Sequence, residues 1–505
     1  MAIAESIVEP DVTIAITPSV YHVIVVGGGI AGVGAAIKLR QSGITDFVVL
    51  EKAEEIGGVW HANTYPGCAC DVPSALYSYS FAPNPHWSRV FAEQGEIKAY
   101  LQATAREHGV MQHVRLNREV RKVAWDHTQK IWLIDTPDKQ YHARFVVMAG
   151  GPLHAPITPK IAGLDRFEGD LFHSARWRHD VDLRGKRVAV IGTGASAIQF
   201  VPVIQPQVGK LILIQRTPQW VLPKMDMRLP RAVQQLFKYL PVTQLAMRGI
   251  VFGIFETLNG SMRHPFLMKQ IQRLAKRNLH RAVKDPVLRE KLTPRFIIGC
   301  KRILQSNQWY AALMQPNVEL VFAGVSEIRP HSLVDAHGVE HAVDAIVLGT
   351  GFEVAAPPIA RQIFDGNGRS MAELWAGSPQ GYMGTMIAGY PNCFLMFGPN
   401  LAVSSSAFLI IEAQLTYIVD ALKKSTRDDI STIEVDPDRQ EKFNTKVQAA
   451  LQKSVWNTGG CTSYFIDENG RNSTLWPWST IAMRRQLSEF KLDDYIVRHR
   501  TKQPA

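Results

Sequence analysis

The stretch Tyr21-His-Val-Ile-Val-Val26 is followed directly by Gly27-Gly-Gly-Ile-Ala-Gly32, and these residues indicate the fold class. The first part is an apolar run that predicts a buried strand, and the residues after the glycines predict a helix. Phe47-Val-Val-Leu50 predicts a second buried strand, which ends at Glu51. Together these segments predict a βαβ unit with a glycine-rich turn before its helix.

The same pattern recurs about 165 residues later in the chain. Arg187-Val-Ala-Val-Ile191 predicts a strand, and Gly192-Thr-Gly-Ala-Ser-Ala197 predicts the turn into a helix. Leu211-Ile-Leu-Ile214 predicts the next strand, and Arg216 follows it. Two such units predict an α/β fold with two dinucleotide-binding, Rossmann-like domains.

The domain boundaries are expected around these two units. We expect a first domain of residues 20–155 plus about 380–505 and a second domain of residues 156–224 plus 293–379. Residues 225–292 predict a helical insertion in the second domain. Prolines are expected to divide this insertion into several short helices: Pro230, Pro241, Pro265 and Pro286. Two further helices are expected near the end of the chain, over residues 402–425 and 436–453.

The composition argues against a disordered, a collagenous or a disulfide-scaffold protein. The chain has 505 residues, of which 46% are hydrophobic and 20% are charged, and these values are typical of globular proteins.

Residues 1–20 indicate a loose leader without the pattern of a secretory signal. No apolar run reaches the ~18 residues of a membrane-spanning helix. We therefore expect a soluble protein in a reducing, cytoplasmic compartment.

The cysteines give no sign of a disulfide framework or of a metal site. Five cysteines in 505 residues are too few for a disulfide framework. Cys68 and Cys70 have C-x-C spacing, which differs from the C-x-x-C of redox pairs. No pattern of metal-ligating histidines accompanies them, so no metal is expected.

The net charge of +11 is concentrated in one segment. Residues 228–292 contain 13 Lys and Arg against 3 Asp and Glu, so the rest of the chain is nearly neutral. This distribution argues against general binding of nucleic acid. A solvated basic helix face is the favoured interpretation, and peripheral contact with an anionic membrane is the alternative.

The first glycine turn predicts a dinucleotide site. Gly27, Gly29 and Gly32 form a G-x-G-x-x-G pattern, in which backbone N–H groups and a helix N-terminus approach a pyrophosphate. Glu51 follows Gly27 by 24 residues, where an acid accepts a hydrogen bond from a ribose 2′-hydroxyl. A carboxylate there repels a 2′-phosphate, so this site predicts a non-phosphorylated dinucleotide, for which FAD is the simplest candidate.

The second glycine turn has the opposite charge at the matching position. Gly192 and Gly194 begin the pattern, and Ala197 is an accepted variant at its third position. Arg216 follows Gly192 by the same 24 residues. A guanidinium group favours a 2′-phosphate, so this site predicts NADPH. An FAD site and an NADPH site on one chain indicate electron transfer between two cofactors.

Between the two units, Phe167, Gly169, His173 and Trp177 form the pattern F-x-G-x-x-x-H-x-x-x-W. This pattern resembles the signature of the Baeyer–Villiger monooxygenases, which use FAD, NADPH and O2 to oxidise ketones. Further stretches that resemble this family are Gly58 to Asp71, Gly299-Cys-Lys-Arg302, Asp344 to Phe352, Gly398-Pro-Asn400 and Gly460 to Trp478.

The resemblance implies a reaction and a set of functional residues. A C4a-peroxyflavin would attack a ketone and give an ester or a lactone, and sulfides could also be oxidised. Arg302 would stabilise the anionic peroxide, Asp71 would orient Arg302, and Lys301 would reach the 2′-phosphate beside Arg216. His173 is expected to be structural or a conformational relay and not a base. The remaining cofactor-binding candidates are Trp60, Asp71, Thr193, Ser196, Gln199 and Thr217.

Other functions stay open at this point. A flavin-containing monooxygenase acting on sulfur or nitrogen would share the fold and both cofactors, but Trp177 and Arg302 favour the ketone branch. A disulfide reductase would need a redox cysteine pair near FAD, and the sequence lacks one. The expected substrates are O2 and a small lipophilic ketone or sulfide. We expect the insertion, residues 353–385 and the C-terminal segment to line the pocket.

Overall fold

The structure is a computed structural model that describes residues 19–354 and 357–500. The leader expected over residues 1–20 lies outside these ranges up to residue 18, and a strand already begins at Val20. Helices and strands are numbered below in chain order.

The strands of the described residues are β1 (Val20–Val26), β2 (Phe47–Leu50), β3 (Val114–Arg115), β4 (Lys122–Asp126), β5 (Ile131–Asp135), β6 (Gln140–Met148), β7 (Asp170–His173), β8 (Arg187–Ile191), β9 (Lys210–Ile214), β10 (Val221–Leu222), β11 (Leu304–Gln305), β12 (Val318–Val321), β13 (Val325–Arg329), β14 (Ser332–Asp335), β15 (Glu340–Ala342), β16 (Ala345–Leu348), β17 (Ile363–Phe364), β18 (Cys393–Leu395), β19 (Ile430–Val435) and β20 (Tyr495–His499).

The α-helices in the same ranges are α1 (Ile30–Gln41), α2 (Val59–Ala62), α3 (Gln94–Glu107), α4 (Ala197–Ile204), α5 (Arg231–Tyr239), α6 (Pro241–Met262), α7 (Pro265–Ala282), α8 (Pro286–Lys291), α9 (Trp309–Leu313), α10 (Met371–Trp375), α11 (Ala407–Arg427), α12 (Pro437–Leu451), α13 (Val455–Thr458) and α14 (Thr480–Gln486).

The first sheet is built around β1. Its strand order is β17-β4-β5-β6-β1-β2-β3, and β18 also pairs with β6. β1 runs parallel to β2 on one side and to β6 on the other. The last four residues of β1 and all of β2 are buried, which is the reason both segments are continuously apolar. The βαβ unit expected at residue 21 is therefore confirmed.

The second sheet repeats this arrangement. Its order is β12-β9-β8-β16-β7, and every pairing in it is parallel. The glycine turn at Gly192 joins β8 to α4, and β9 is the next strand, as expected. The fold is α/β with two Rossmann-like units. Because β17 pairs with β4, the chain has already returned to the first sheet by residue 363, before the expected boundary near 380.

The insertion is helical, but its helices are longer than expected. α6 has 22 residues and α7 has 18. Pro241 and Pro265 are the first residues of these helices, so they begin helices and do not interrupt them. The two-stranded pairing of β10 with β11 closes the base of the insertion.

The helix expected over 402–425 begins later, at Ala407. The hydroxyl of Ser406 accepts a hydrogen bond from the N–H of Phe408 at 3.3 Å and caps this helix. α11 packs against α1, so the C-terminal part of the chain covers the first sheet. The helix expected over 436–453 is α12.

Candidate active site

The first glycine turn lies between β1 and α1. Gly27 has a φ of +108°, which favours glycine. A Cβ atom on Gly32 would lie 1.8 Å from the carbonyl oxygen of Gly27, so a side chain there requires the helix to move. A Cβ atom on Gly29 would lie 3.3 Å from the Cα atom of Gly58. Backbone atoms without side chains therefore form the surface of the turn at the N-terminus of α1.

Glu51 stands at the end of β2 and is buried. Its carboxylate accepts a hydrogen bond from the N–H of Gly28 at 2.5 Å and another from the N–H of Ala53 at 2.9 Å. Backbone donors from the glycine turn and from the following loop thus hold the carboxylate beside the turn. Carboxylate oxygens have further lone pairs, so a ribose hydroxyl can still donate to this group.

The second glycine turn differs in how much room it leaves. Gly192 has a φ of +111°, and its Cβ atom would lie 2.4 Å from the carbonyl oxygen of Gly349. Around Gly194, in contrast, a Cβ atom would meet no atom within 4 Å. Thr193 is buried, and Ser196 precedes the first residue of α4. The open side at Gly194 leaves space for a phosphate group.

Gln199 connects the two units. Its Oε1 atom accepts a hydrogen bond from the hydroxyl of Tyr65 at 2.9 Å, and its Nε2 atom donates to the carbonyl of Ala69 at 2.9 Å. Both ends of the amide are therefore bonded to the loop that leads to Asp71. This arrangement makes Gln199 a link between domains, a role that the sequence interpretation did not include.

Arg216 and Lys301 are the two basic residues expected at the second nucleotide site. Arg216 and Thr217 are exposed directly after β9. Lys301 lies close enough to Arg216 for their charges to interact, since burial first and then the charge of Arg216 lower the pKa of Lys301. Two such cations could bind a doubly charged anion, such as a phosphate group.

Arg302 and Asp71 form a bidentate ion pair. The Nε and Nη2 atoms of Arg302 each donate to one carboxylate oxygen of Asp71, both at 2.7 Å. Burial alone would raise the pKa of Asp71, but the charge and hydrogen bonds of Arg302 lower it on balance. The charge of Asp71 in turn raises the pKa of Arg302. Arg302 therefore stays charged, and its side chain is 44% exposed because it borders a cavity.

This cavity lies between the two units and has a volume of about 240 Å³. Asp71, Lys301 and Arg302 line it, so the structure brings these three expected site residues together. Most of the remaining wall is apolar. The three expected regions supply part of it, and residues 148–153 and 395–405 supply much of the rest. Representative side chains are Phe255, Leu258 and Met262 of α6, Val354 and Ile359 of the 353–385 region, and Phe465 of the C-terminal segment.

Tyr464 is a cavity residue to which the sequence interpretation assigned no role. It lies beside Arg302, whose charge lowers the pKa of the phenol, although burial raises that pKa more strongly. Tyr464 lies in the stretch Gly460 to Trp478, which resembles the family, and this resemblance is the available signal. The sequence separation of 162 residues from Arg302 hides the contact.

Trp60 and His173 do not line the cavity. The Nε1 atom of Trp60 donates to the hydroxyl of Tyr77 at 3.1 Å, and the side chain belongs to the hydrophobic core. His173 is buried, and its Nδ1 atom accepts from the N–H of Ala175. Burial lowers the pKa of His173 to about 4, so the ring is neutral at pH 7. This geometry agrees with the structural role expected for His173.

The cysteines differ from the sequence expectation. Cys300 and Cys461 form a disulfide across 161 positions of the chain. It attaches the segment that carries Tyr464 to the segment that carries Arg302. The expectation was wrong because spacing along a chain gives no information on which distant cysteines meet. Cys68 and Cys70 are free and buried.

Within residues 19–354 and 357–500, no group of three or more His, Cys, Asp or Glu side chains is arranged to hold a metal ion. Over the same ranges, none of the helices has both the length and the apolar character needed to cross a bilayer.

Comparison with known proteins places this site in context. Residues 24–239 match the pyridine nucleotide-disulphide oxidoreductase family. The chain is 48% identical over 479 residues to a Baeyer–Villiger monooxygenase of Streptomyces coelicolor, covering 94% of this chain and 92% of that protein. It is 44% identical to a Baeyer–Villiger monooxygenase of Pseudomonas aeruginosa, covering 94% of this chain and 90% of that protein.

Solved structures are similar over nearly the whole chain. A steroid monooxygenase bound to NADP has a TM-score of 0.85 and 29% identity, covering 95% of this chain and all of that one. A cyclohexanone monooxygenase from Rhodococcus sp. Phi1 bound to NADP+ has a TM-score of 0.85 and 26% identity, covering 96% of this chain and all of that one.

Proposed function

The chain belongs to the Baeyer–Villiger monooxygenase family, and from this premise we propose that it uses FAD and NADPH to insert one oxygen atom of O2 beside a ketone carbonyl. The product is an ester or a lactone, and the other oxygen atom leaves as water. The proposed substrate is small and lipophilic, because the wall of the cavity is mostly apolar.

The first glycine turn supports FAD as the retained cofactor. A Cβ atom would collide with backbone at Gly27 and Gly32 and would be tightly packed at Gly29, so these glycines let backbone approach a pyrophosphate closely. Glu51 would accept a hydrogen bond from the ribose of the adenosine half. A 2′-phosphate would be repelled by this carboxylate, which separates the two nucleotide sites by charge.

The second turn supports NADPH as the exchangeable cofactor. Arg216 and Lys301 would bind the 2′-phosphate, and the open side at Gly194 would admit the pyrophosphate. Thr193, Ser196 and Thr217 stay candidates for further contacts to this cofactor.

When FAD is bound and reduced, it supplies the electrons that activate O2. Arg302 would hold a permanent positive charge at the cavity and stabilise negative charge that develops there. An arginine suits this task because its guanidinium group does not lose its proton under working conditions. The oxygen chemistry implied by the family resemblance stays a prediction.

Asp71 would act by orienting Arg302. Its two oxygens bind Nε and Nη2, so Nη1 is the guanidinium nitrogen that this pair leaves for another partner. The apolar wall around the pair would exclude water and strengthen the electrostatic interaction of Arg302 with a substrate.

The observation that carries this proposal is the bidentate pair of Arg302 and Asp71, which borders an apolar cavity between the two nucleotide units. The direct test is an NADPH-oxidation screen of the purified protein, with cyclic, linear and aryl ketones and one sulfide as substrates. Product masses would show whether one oxygen atom is added, and chromatography against ester standards would identify the product.

An ester or lactone from at least one ketone is the expected result. A sulfoxide or an N-oxide as the only oxygenated product would instead support the flavin-containing monooxygenase alternative. Oxidation of the sulfide in addition to a ketone agrees with the proposal, because both reactions need the same cofactors.

A cytoplasmic location also stays a prediction.

A further inference from the structure

The two faces of α6 have different surroundings. On its inner face, Phe255, Leu258 and Met262 line the cavity. On its outer face, Val242, Leu245, Ile250 and Ile254 are each 60–67% exposed. Side chains of this size and exposure are uncommon in a row on the surface of a soluble protein, and such patches mark interaction sites.

The outer face of α6 carries no charge. The charged residues of this helix are Arg248 and Glu256, and both are bonded to other parts of the protein. Arg248 donates to the carbonyls of Ala75 and Ser78 at 3.1 Å, and Glu256 accepts from the N–H of Thr480 at 3.0 Å. The exposed surface of the helix therefore carries no charge and is mostly apolar, with Thr257 as an exposed polar residue.

The neighbouring helix supplies positive charge. α7 contacts α6 and exposes Phe266 together with basic side chains. It contains no acidic residue, and Glu256 is the only acidic residue of the chain between Asp226 and Asp285. The exposed basic side chains of α7 are Lys269, Arg273, Lys276, Arg277 and Arg281.

We propose that this surface, formed by the outer faces of α6 and α7 and called here the insertion face, docks onto an anionic phospholipid bilayer. Apolar side chains of α6 would enter the interface between headgroups and acyl chains, and the cations of α7 would contact the headgroups. A solvated basic face, which the sequence favoured, does not explain why four large apolar side chains of α6 are exposed.

Charge selects the bilayer over a second copy of this chain. In a symmetric dimer through the insertion face, the basic side chains of two α7 helices would share one interface, where like charges repel. The acidic residue of these helices, Glu256, is already bonded to Thr480 and does not offset that charge. An anionic lipid surface has the complementary charge and accepts apolar side chains as well.

The position of α6 gives this docking a use. Because the same helix has one face on the bilayer and the other on the cavity, a lipophilic substrate dissolved in the membrane would have only a short distance to travel. This consequence rests on the proposed function, whereas the docking itself does not.

Vesicle flotation with the purified, FAD-loaded protein tests the proposal. One set of vesicles contains phosphatidylglycerol and phosphatidylcholine in equal parts, and the other contains phosphatidylcholine alone. We expect the protein to float with the anionic vesicles, to float at least tenfold less with the neutral ones, and to be released as salt is raised. Absence of binding to the anionic vesicles would overturn the proposal.

Paired variants separate the contributions of the two helices. Ile250→Glu combined with Ile254→Glu should lower binding at least tenfold, and Lys276→Glu combined with Arg277→Glu should do the same. Val339→Glu is the matched control, because Val339 is 52% exposed but lies between β14 and β15. Equal loss in the control would mean that added negative charge alone causes the effect, and the proposal would fail.

The oligomeric state and the activity complete the test. A concentration-dependent dimer that the Ile250→Glu, Ile254→Glu variant abolishes would identify a second copy as the occupant and overturn the proposal. NADPH oxidation with a water-soluble ketone should stay within twofold of the parent protein in every variant. Loss of vesicle binding with retained activity is therefore distinct from failure of the proposed function.

Discussion

The two glycine turns have the same backbone pattern but different surroundings. In the first turn, Glu51 is buried and receives two backbone hydrogen bonds. At the matching position of the second turn, Arg216 is exposed and forms no salt bridge within residues 19–354 and 357–500. The protein thus holds the carboxylate of the first site in place, whereas the guanidinium group of the second site is accessible to solvent.

This difference indicates how one chain can treat two dinucleotides differently. A site with a buried acid and close backbone packing favours a cofactor that stays bound. A site with exposed cations attracts a more highly charged cofactor from solution and can release it, since exposed charges are screened and exchange partners readily. On the proposed function, the charge after the second strand of each unit would select the cofactor, and burial would set how readily it exchanges.

An added methyl group in the first turn is expected to weaken the binding of FAD. Gly32→Ala places a Cβ atom 1.8 Å from the oxygen of Gly27, and such overpacking costs about 1–3 kcal/mol. FAD content after purification should fall by about tenfold or more. Gly194→Ala is the control, because its Cβ atom meets no atom within 4 Å. Absorbance of the bound flavin measures both, and equal FAD loss would refute the asymmetry.

Arg302→Ala should abolish ester formation, because no neutral side chain replaces the charge at the cavity. NADPH oxidation should continue at a reduced rate, with its electrons released as hydrogen peroxide. Asp71→Ala should change the products in the same direction but less, since Arg302 would keep its charge and lose its orientation. Peroxide and ester are quantified in the same reaction. Ester formation at nearly the parental rate in Arg302→Ala would show that another cation does this work.

Arg216→Ala sharpens the contrast between the two turns. A hydrogen bond to a charged group contributes about 1.5–3 kcal/mol, so the KM for NADPH should rise about tenfold or more. The KM for NADH, which lacks the 2′-phosphate, should change little. Steady-state kinetics with both coenzymes distinguish binding from folding. An equal rise for both would make Arg216 a structural residue.

The smallest effect is expected from pH acting on Lys301. Burial and the charge of Arg216 lower the pKa of Lys301, so it loses its proton at a lower pH than an exposed lysine does. The KM for NADPH should therefore rise as the pH increases toward ~10, the usual range of lysine. Lys301→Arg keeps its charge and should flatten this rise. A rise that persists in Lys301→Arg would assign the titration to another group.

Local patterns were sufficient for much of the fold and for part of the site. The alternation of buried strand, glycine turn and helix at Gly27 and at Gly192 involves neighbours along the chain, so the residues report it directly. The sequence also predicts the helices of the insertion. It predicts breaks at Pro241 and Pro265, whereas in the structure these prolines begin helices. Proline fits the first turn of a helix as well as a break, and only the following residues distinguish these cases.

Contacts between distant segments could not be obtained in this way. Cys300 and Cys461, Tyr464 and Arg302, and Gln199 and Tyr65 are each separated by more than a hundred residues. No periodicity relates such partners, because their approach depends on how the two sheets and the insertion pack. The pairing of Arg302 with Asp71 was expected only through the family resemblance.

The amino-acid sequence alone establishes the two nucleotide units, the sign of the charge at Glu51 and at Arg216, and the basic character of the insertion. These properties belong to side chains and to short segments, which keep them in any packing arrangement. Tertiary structure alone decided that α6 turns one apolar face to the cavity and the other outward. A hydrophobic side chain is compatible with either environment, and only the packing of the whole chain determines which side loses its contact with water.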